Sequence, residues 1–167
     1  MTIRKLHHVA YRCKNASETV AFYTDVLGLK FAHAVRNDKV PSTGEFYPHL
    51  HVFFEMDDGS YIAFFELPTE DEMGFDPNTP GWVQHLALEI DDAGAQTAWM
   101  ERLRRHGIDF IGPTDHGFVK SIYFFDPNGH RLELTFRSVA PGYFATAEHD
   151  ARELLENWQV DRAEWRD

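Results

Sequence analysis

The amino-acid sequence predicts an α+β fold built from two copies of a β-α-β-β-β module, followed by a C-terminal helix. The first observation is a repeat: His8-Val9-Ala10 recurs as His85-Leu86-Ala87, and each triplet opens a run typical of a strand. The second is a segment of helical periodicity downstream of each triplet. The third is that each half ends in two further strand-like runs joined by a glycine-containing turn.

The first module is predicted to span residues 4–67. Its first strand covers Leu6 to Cys13, and its helix covers Ala16 to Leu27 with Asn15 or Ser17 as the capping residue. Val35 to Pro48 is polar and contains two prolines and a glycine, so this stretch is predicted to be a surface loop. The remaining strands of the module are predicted at residues 49–56 and 61–67.

The second module is predicted at residues 83–138, after an acidic linker that is rich in Pro, Gly and Asn. Asp91 or Asp92 suits the start of its helix, which covers Ala93 to Arg105. Its last two strands flank the turn Asp126-Pro127-Asn128-Gly129, in which proline fixes one φ angle and glycine supplies a positive one. The turn sends the chain straight back from Ile122–Phe125 into Arg131–Arg137.

A C-terminal helical extension is predicted at residues 139–167. Its apolar residues fall at helical spacing on one stripe and have no partner within either module. They are Ala147, Ala151, Leu154, Leu155 and Trp158. This helix, predicted at Thr146 to Trp158, is expected to pack on the outer face of the sheet or on the partner subunit of a homodimer.

Candidate metal ligands occur at matched positions of the two modules. Adjacent strand residues point to opposite faces, so only one of His7 and His8 can face a pocket, and the repeat selects His8 because it aligns with His85. Glu133 lies between two leucines in the last strand of the second module, where a carboxylate is costly unless a metal or another group pairs with it. Glu133 on a solvent-facing side of its strand is the alternative. In the first module, the late-strand acid is Glu66.

This pattern resembles the vicinal oxygen chelate superfamily, which includes glyoxalase I, extradiol ring-cleaving dioxygenases, methylmalonyl-CoA epimerase and bleomycin-resistance proteins. The resemblance covers about residues 4 to 138, as a single domain within residues 1–138. It implies that the modules form a curved, barrel-like mixed sheet around a divalent metal, with ligands from the first and last strand of each module. The positions implied here are His8, Glu66, His85 and Glu133.

The number of ligands separates the functions within that family. If only His8, His85 and Glu133 bind, an octahedral ion keeps three open positions, which Fe(II) oxygenases need for a diol and for O₂. If Glu66 also binds, two positions remain. They suit a glyoxalase I-type lyase or isomerase that uses Ni, Zn, Co or Mn. A metal-free binding protein of the bleomycin-resistance kind is the third possibility.

The stretch from Thr114 to Glu133 also matches the pattern of extradiol dioxygenases. The resemblance implies that Tyr123 bonds to the substrate oxygen at the metal and that His116 assists it. The acid-base histidine expected on the last strand of the first module is missing, so His51 or Glu66 is the candidate for that role. The favoured function is therefore an Fe(II) extradiol dioxygenase acting on a small aromatic diol.

Composition disfavours several other classes. The formal net charge of −11 disfavours nucleic acid and anionic membrane surfaces as partners. Cys13 is the single cysteine, which rules out a disulfide within the chain and suits a reducing compartment. No apolar signal or transmembrane segment is evident, so a cytoplasmic location is expected.

Overall fold

In the computed structural model, which describes residues 2–68 and 71–164, the strands follow the order that the sequence predicts. They are β1 (His8–Cys13), β2 (Lys30–Lys39), β3 (Phe46–Glu55), β4 (Tyr61–Glu66), β5 (Leu86–Glu89), β6 (Ile111–Asp115), β7 (Val119–Phe125) and β8 (Arg131–Arg137). The helices are α1 (Ala16–Ala21), continued by a π-helical turn at Phe22–Val26, then α2 (Ala93–Arg105) and α3 (Tyr143–Glu164).

The strands form two four-stranded sheets, which we call sheet I (β1-β4-β3-β2) and sheet II (β5-β8-β7-β6). In each sheet the first strand of the module runs parallel to the last, and the other neighbours are antiparallel. The α+β class and the two β-α-β-β-β modules are thereby confirmed. The sheets are curved, but within the described residues they do not close into one barrel.

Each sheet buries one face and leaves the other open. The buried face of sheet I carries Val52, Phe54, Ile62 and Phe64, and that of sheet II carries Ile122, Phe124, Leu132 and Leu134. These residues share one core with Tyr23 of the π-helical turn and Leu103 of α2. Because strand side chains alternate, the residues between them point to the opposite side, which we call the open face of each sheet.

Both predicted helix starts are confirmed. The side-chain oxygen of Asn15 accepts the backbone N–H three residues ahead at 3.0 Å, and that of Asp92 does the same at 2.9 Å. In the first turn of each helix, one backbone N–H group that has no partner within the helix thus gains an acceptor. Gly28 and Gly107 follow the two helical segments with φ angles of 74° and 69°, a backbone conformation that glycine adopts without a steric penalty.

The prediction of a surface loop from Val35 to Pro48 is wrong. Strand β2 continues to Lys39 and β3 begins at Phe46, so the connection is limited to residues 40–45. Pairing with β3 satisfies the backbone of this polar stretch, and the outer side of an edge strand tolerates polar residues. Pro48 lies close to a break in the β2–β3 register, where a missing N–H costs little.

The linker and the C-terminal helix α3 lie outside the two modules. The linker has no helix or strand within residues 67–68 and 71–82, as predicted. Helix α3 begins earlier than predicted, with Tyr143 and Phe144 packed on Phe118. Further along, Leu154 and Leu155 remain 67% and 59% exposed. Within the described ranges, none of the helices has the length and apolarity needed to cross a membrane.

A buried carboxylate joins the second module to the first. Asp126 accepts the backbone N–H groups of Asn128 at 2.9 Å and His130 at 2.8 Å, which closes the turn between β7 and β8. Its other oxygen accepts the Asn128 amide at 2.9 Å and the Tyr23 hydroxyl at 3.3 Å. The Asn128 side chain in turn accepts the backbone N–H of Lys14 at 2.9 Å. The turn is therefore bonded to the residue that follows β1 and to the π-helical turn of the first module.

We expect Asp126→Ala to lower the free energy of unfolding by about 3 kcal/mol, because it leaves several buried donors without an acceptor. Urea denaturation measures this change. Asp58→Ala is the matched control, since Asp58 also accepts a backbone N–H within a turn, that of Ser60 at 2.8 Å, but is exposed. Its loss should be clearly smaller; equal losses in the two variants would contradict a role of Asp126 in joining the modules.

Candidate metal centre

His85 and Glu133 meet on the open face of sheet II. Glu133 of β8 pairs in register with Ala87 of β5, and His85 lies two residues before Ala87 on the same face. The His85 Nε2 and Glu133 Oε2 atoms are 2.9 Å apart. Glu133 is only 5% exposed, and its second oxygen accepts the hydroxyl of Ser121. The carboxylate is thus buried and faces an imidazole.

The His85 ring is oriented in the way that a metal ligand requires. Its Nδ1 lies 3.0 Å from the Val83 carbonyl oxygen, which can only accept, so we assign the proton to Nδ1. Nε2 then faces Glu133, and a backbone carbonyl behind the ring is the usual partner of a metal-binding histidine. Two ligands at about 2.1 Å from one ion and at a right angle are about 3.0 Å apart, so this pair fits a divalent metal.

Tyr123 lies beside this pair. It is opposite Glu133 in the β7–β8 register and is 8% exposed. Its hydroxyl is 2.7 Å from Nε2 of His116, which lies just after β6. Burial raises the pKa of Tyr123, so the phenol keeps its proton at neutral pH. The Arg131 guanidinium stands over the ring, 4.0 Å from its centre. Tyr123 therefore presents a protonated hydroxyl on the face that holds His85 and Glu133.

His8 and His51 lie on the open face of sheet I. Their ring centres are 6.1 Å apart. The His51 ring stacks on Phe65, with centres 3.6 Å apart, and its Nε2 is buried without a hydrogen-bond partner among the described residues. Burial, helped by the neighbouring His8, lowers the pKa of His51 to about 4. The imidazole is therefore neutral at pH 7 and keeps a lone pair available.

The chain divides the predicted ligands between the two open faces. In residues 2–68 and 71–164, no three His, Cys, Asp or Glu side chains are grouped in a way that could hold a metal ion. The chain brings His85 together with Glu133, and Tyr123 with His116. His8 and His51 form a separate group.

The strand register corrects the matching of Glu66 with Glu133. In the second module, Glu133 pairs with Ala87, which lies two residues after His85. In the first module, the residue two positions after His8 is Ala10, and Ala10 pairs with Ala63. Glu66 pairs with Cys13, about 17 Å along the strand from the level of His8. It also points to the buried face, where it accepts the backbone N–H of Ala16 at 3.2 Å. Glu66 thus stabilises the start of α1, and Ala63 occupies the position equivalent to Glu133.

Sequence reasoning missed Ser121 and Arg131, which contact Glu133 and Tyr123 respectively. Each lies two residues before a residue that was predicted, Ser121 before Tyr123 and Arg131 before Glu133. Because side chains alternate along a strand, this spacing of two residues places Ser121 on the same face as Tyr123, and Arg131 on the same face as Glu133.

Comparison with known proteins gives a family match over most of the chain. The model of the Glyoxalase/Bleomycin resistance protein/Dioxygenase superfamily matches residues 5–134. A Bacillus subtilis (strain 168) protein that carries the name ring-cleaving dioxygenase MhqA is 25% identical over 146 residues, which is 86% of this chain and 43% of that protein. The chain therefore spans less than half the length of this relative.

Two further comparisons agree with the fold but differ in the activity that they name. The lactoylglutathione lyase of Salmonella typhimurium is 28% identical over 138 residues, covering 78% of this chain and 90% of the enzyme. A crystal structure of a glyoxylase/bleomycin resistance protein/dioxygenase domain from Frankia sp. EAN1pec superposes with a TM-score of 0.67 at 20% identity, covering 81% of this chain and 99% of that domain. The architecture is thus shared, while the relatives' names leave the reaction open.

The lowered pKa of His51 predicts a loss of stability in acid. In the unfolded chain, His51 binds a proton below about pH 6.5, whereas in the folded chain it does so only near pH 4. The free energy of unfolding of the metal-free protein should therefore fall as the pH is lowered from 6.5 to 4. Urea denaturation at several pH values, with a chelator present, measures it. The stability difference between wild type and His51→Gln should shrink as the pH falls from 6.5 to 4. A difference that stays constant would be inconsistent with a buried neutral His51; His106→Gln, at an exposed ring, is the control.

Proposed function

Because the chain belongs to the Glyoxalase/Bleomycin resistance protein/Dioxygenase superfamily, we propose that it is a metal-dependent enzyme acting on vicinal oxygen atoms, and specifically an Fe(II) extradiol dioxygenase for a catechol-like diol. The observation that carries the specific proposal is the alanine at position 63. It stands where a fourth ligand equivalent to Glu133 would lie, and Glu66 points to the opposite face.

A metal centre with three protein ligands follows from the alanine at position 63. Alanine has no donor atom, so the ligands left are His8, His85 and Glu133, two imidazoles and one carboxylate. This set leaves three positions of an octahedral ion open, enough for both oxygens of a diol and for O₂. A lyase of the glyoxalase I kind needs only two open positions and fits a four-ligand centre. The alanine therefore favours the dioxygenase over the isomerase.

We propose that a second copy of the chain completes the centre. The open face of sheet I carries one of the three ligands and that of sheet II carries the other two, and helices α1 and α2 cover only the opposite faces. The open face of sheet II also presents Ile111 and Phe125, which are 62% and 53% exposed. The open face of sheet I from one copy would then pack against that of sheet II from another. This packing would bring His8 to His85 and Glu133 and would cover Ile111 and Phe125. The enzyme is then a homodimer with two identical centres.

The chain's own residues divide the remaining work. Bound Fe(II) would supply the site at which diol and O₂ meet and exchange electrons. Tyr123 would donate its hydroxyl hydrogen to the diol oxygen that has lost its proton. His116 holds the Tyr123 hydroxyl in place from the other side, at 2.7 Å. Ser121, bonded to Glu133, keeps the carboxylate turned toward His85.

His51 is the proposed proton acceptor. A diol must lose a proton as it binds to the metal, and a neutral imidazole with a vacant nitrogen can take it. His51 is neutral at pH 7, its Nε2 has no partner among the described residues, and it lies on the same open face as His8. Glu66 cannot serve in this role from the buried face of the sheet. The single cysteine and an oxidation-sensitive metal both suit the cytoplasm as the location.

A mixing experiment tests whether the centre is shared between two copies. His8→Ala and His85→Ala should each be inactive alone. A mixed dimer of the two would keep one intact centre, formed by His8 of one copy with His85 and Glu133 of the other. With random exchange of subunits, we expect about a quarter of the wild-type activity and metal content.

Absence of recovery, with mixed dimers verified by mass spectrometry, would mean that each centre is built within one chain. Mixing His8→Ala with Glu133→Ala should give the same recovery, because His85 and Glu133 belong to the same half. Mixing His85→Ala with Glu133→Ala should give none.

Activity is tested by loading the protein with Fe(II) without oxygen and then adding catechols and O₂. We expect consumption of one O₂ per diol and a yellow ring-opened product. Tyr123→Phe should keep its iron but slow turnover by about 100-fold, the usual cost of a lost hydrogen-bond donor to a developing anion. Glu133→Gln should lose the iron, whereas Glu66→Gln, the matched control, should retain both iron and activity.

Other outcomes would identify the alternatives. Turnover of a hemithioacetal with Ni(II) or Zn(II), without O₂ uptake on any diol, would assign the protein to the isomerases. Failure to retain any divalent metal, with an unchanged fold, would assign it to the metal-free binding proteins.

A further inference from the structure

A cavity of about 540 Å³ lies between the two modules, beneath the linker. Volumes of this size are typical of sites for small organic molecules. Its walls come from β1 and the π-helical turn of the first module, the β7–β8 turn of the second, and linker residues from Met73 onward. Most of the lining is apolar. The proposed chemistry at the metal does not account for this cavity, although His85 and Arg131 are among the residues that line it.

Aromatic rings form one side of the cavity. The rings of Tyr11 and His130 are in contact, tilted by 37° to each other with ring centres 4.8 Å apart. Phe75 meets His130 edge-on at 5.3 Å. Gly129 leaves room for this arrangement, since a Cβ atom there would be 3.1 Å from the Phe75 ring. Flat rings stack well on surfaces of this kind, so the wall suits a planar ligand.

Arg12 supplies a cation at the same cavity. One of its terminal nitrogens donates to the Asp71 carbonyl, but its Nε is buried and has no acceptor among the described residues. Arg12 lines the cavity, so an anionic group that enters it would find a charged hydrogen-bond donor there. A carboxylate suits a guanidinium best, because its two oxygens match the arrangement of the N–H groups.

The acid at the cavity does not compete for Arg12. Asp76 accepts the backbone N–H of Asn78 at 2.9 Å and the hydroxyl of Thr79 at 2.5 Å. These bonds lower the pKa of Asp76 and hold its carboxylate within its own turn. The cavity therefore combines an apolar, aromatic wall with a guanidinium whose Nε has no acceptor within residues 2–68 and 71–164.

We propose that this cavity binds a small planar carboxylate, with its ring on the wall formed by Tyr11, His130 and Phe75 and its carboxylate at Arg12. The inference is independent of the proposed dioxygenase activity. A metal at His85 is another possible anchor for a carboxylate, so the experiment must separate the two. Benzoate is the probe, and benzamide is its neutral counterpart of the same shape.

Titration by calorimetry, on the full chain with a chelator present, is the test. We expect benzoate to bind, and benzamide to bind at least about tenfold more weakly, since a hydrogen bond between charged groups is lost. Arg12→Gln should weaken benzoate by a similar factor. Arg36→Gln is the control, because it removes the same charge from an exposed arginine that pairs with Asp38 at 3.5 Å.

Phe75→Ala gives a second variant at an exposed linker position and should weaken benzoate and benzamide alike. Equal binding of benzoate and benzamide would overturn the assignment without depending on any variant. So would unchanged benzoate binding in Arg12→Gln. Benzoate binding that appears only when metal is added would place the ligand at His85 and Glu133 instead, and would leave the proposed activity intact.

Discussion

The arrangement of the protein depends on the buried carboxylate of Asp126. Its bonds close the β7–β8 turn and attach it to Tyr23, so the second module is held by the helical segment of the first. Strands β7 and β8 carry Tyr123 and Glu133, and their position is set at the turn between them. A carboxylate buried in this way is costly unless every oxygen is used, and here both oxygens accept two bonds each. The same residue thus connects the modules and fixes the strands of the candidate metal centre.

The alternation of side chains along a strand decides which acids can reach that centre. Glu133 follows Gly129 by four residues, whereas Glu66 follows Gly59 by seven. The difference of three is odd, and an odd step moves a side chain to the other face of a sheet. One acid therefore meets His85, while the other meets the start of α1. The spacing was visible in the sequence, but the resemblance between the two modules concealed it.

Local signals allowed much of the fold to be predicted. The repeat, the caps at Asn15 and Asp92 and the turn after β7 each depend on a few neighbouring residues, and all were confirmed. The β2–β3 hairpin was missed because pairing between strands, which composition does not reveal, stabilises its polar residues. In the site, the contacts of His85 with Glu133 and of His116 with Tyr123 bring together residues that were predicted. The placement of His8 on a separate face depends on how two sheets are oriented, and no pattern within one strand encodes this.

The two open faces have a thermodynamic consequence. When the ligands of one ion come from two copies of a chain, metal binding and subunit association are linked equilibria, and each strengthens the other by the same factor. In the proposed dimer, iron would act as a reversible cross-link, and its contribution to association would grow with the free iron concentration. Dilution would release metal without unfolding either subunit, and chelation would weaken association without touching the interface. Joining two copies in one polypeptide would make metal binding independent of protein concentration, because the linker would keep the second face at a high effective concentration.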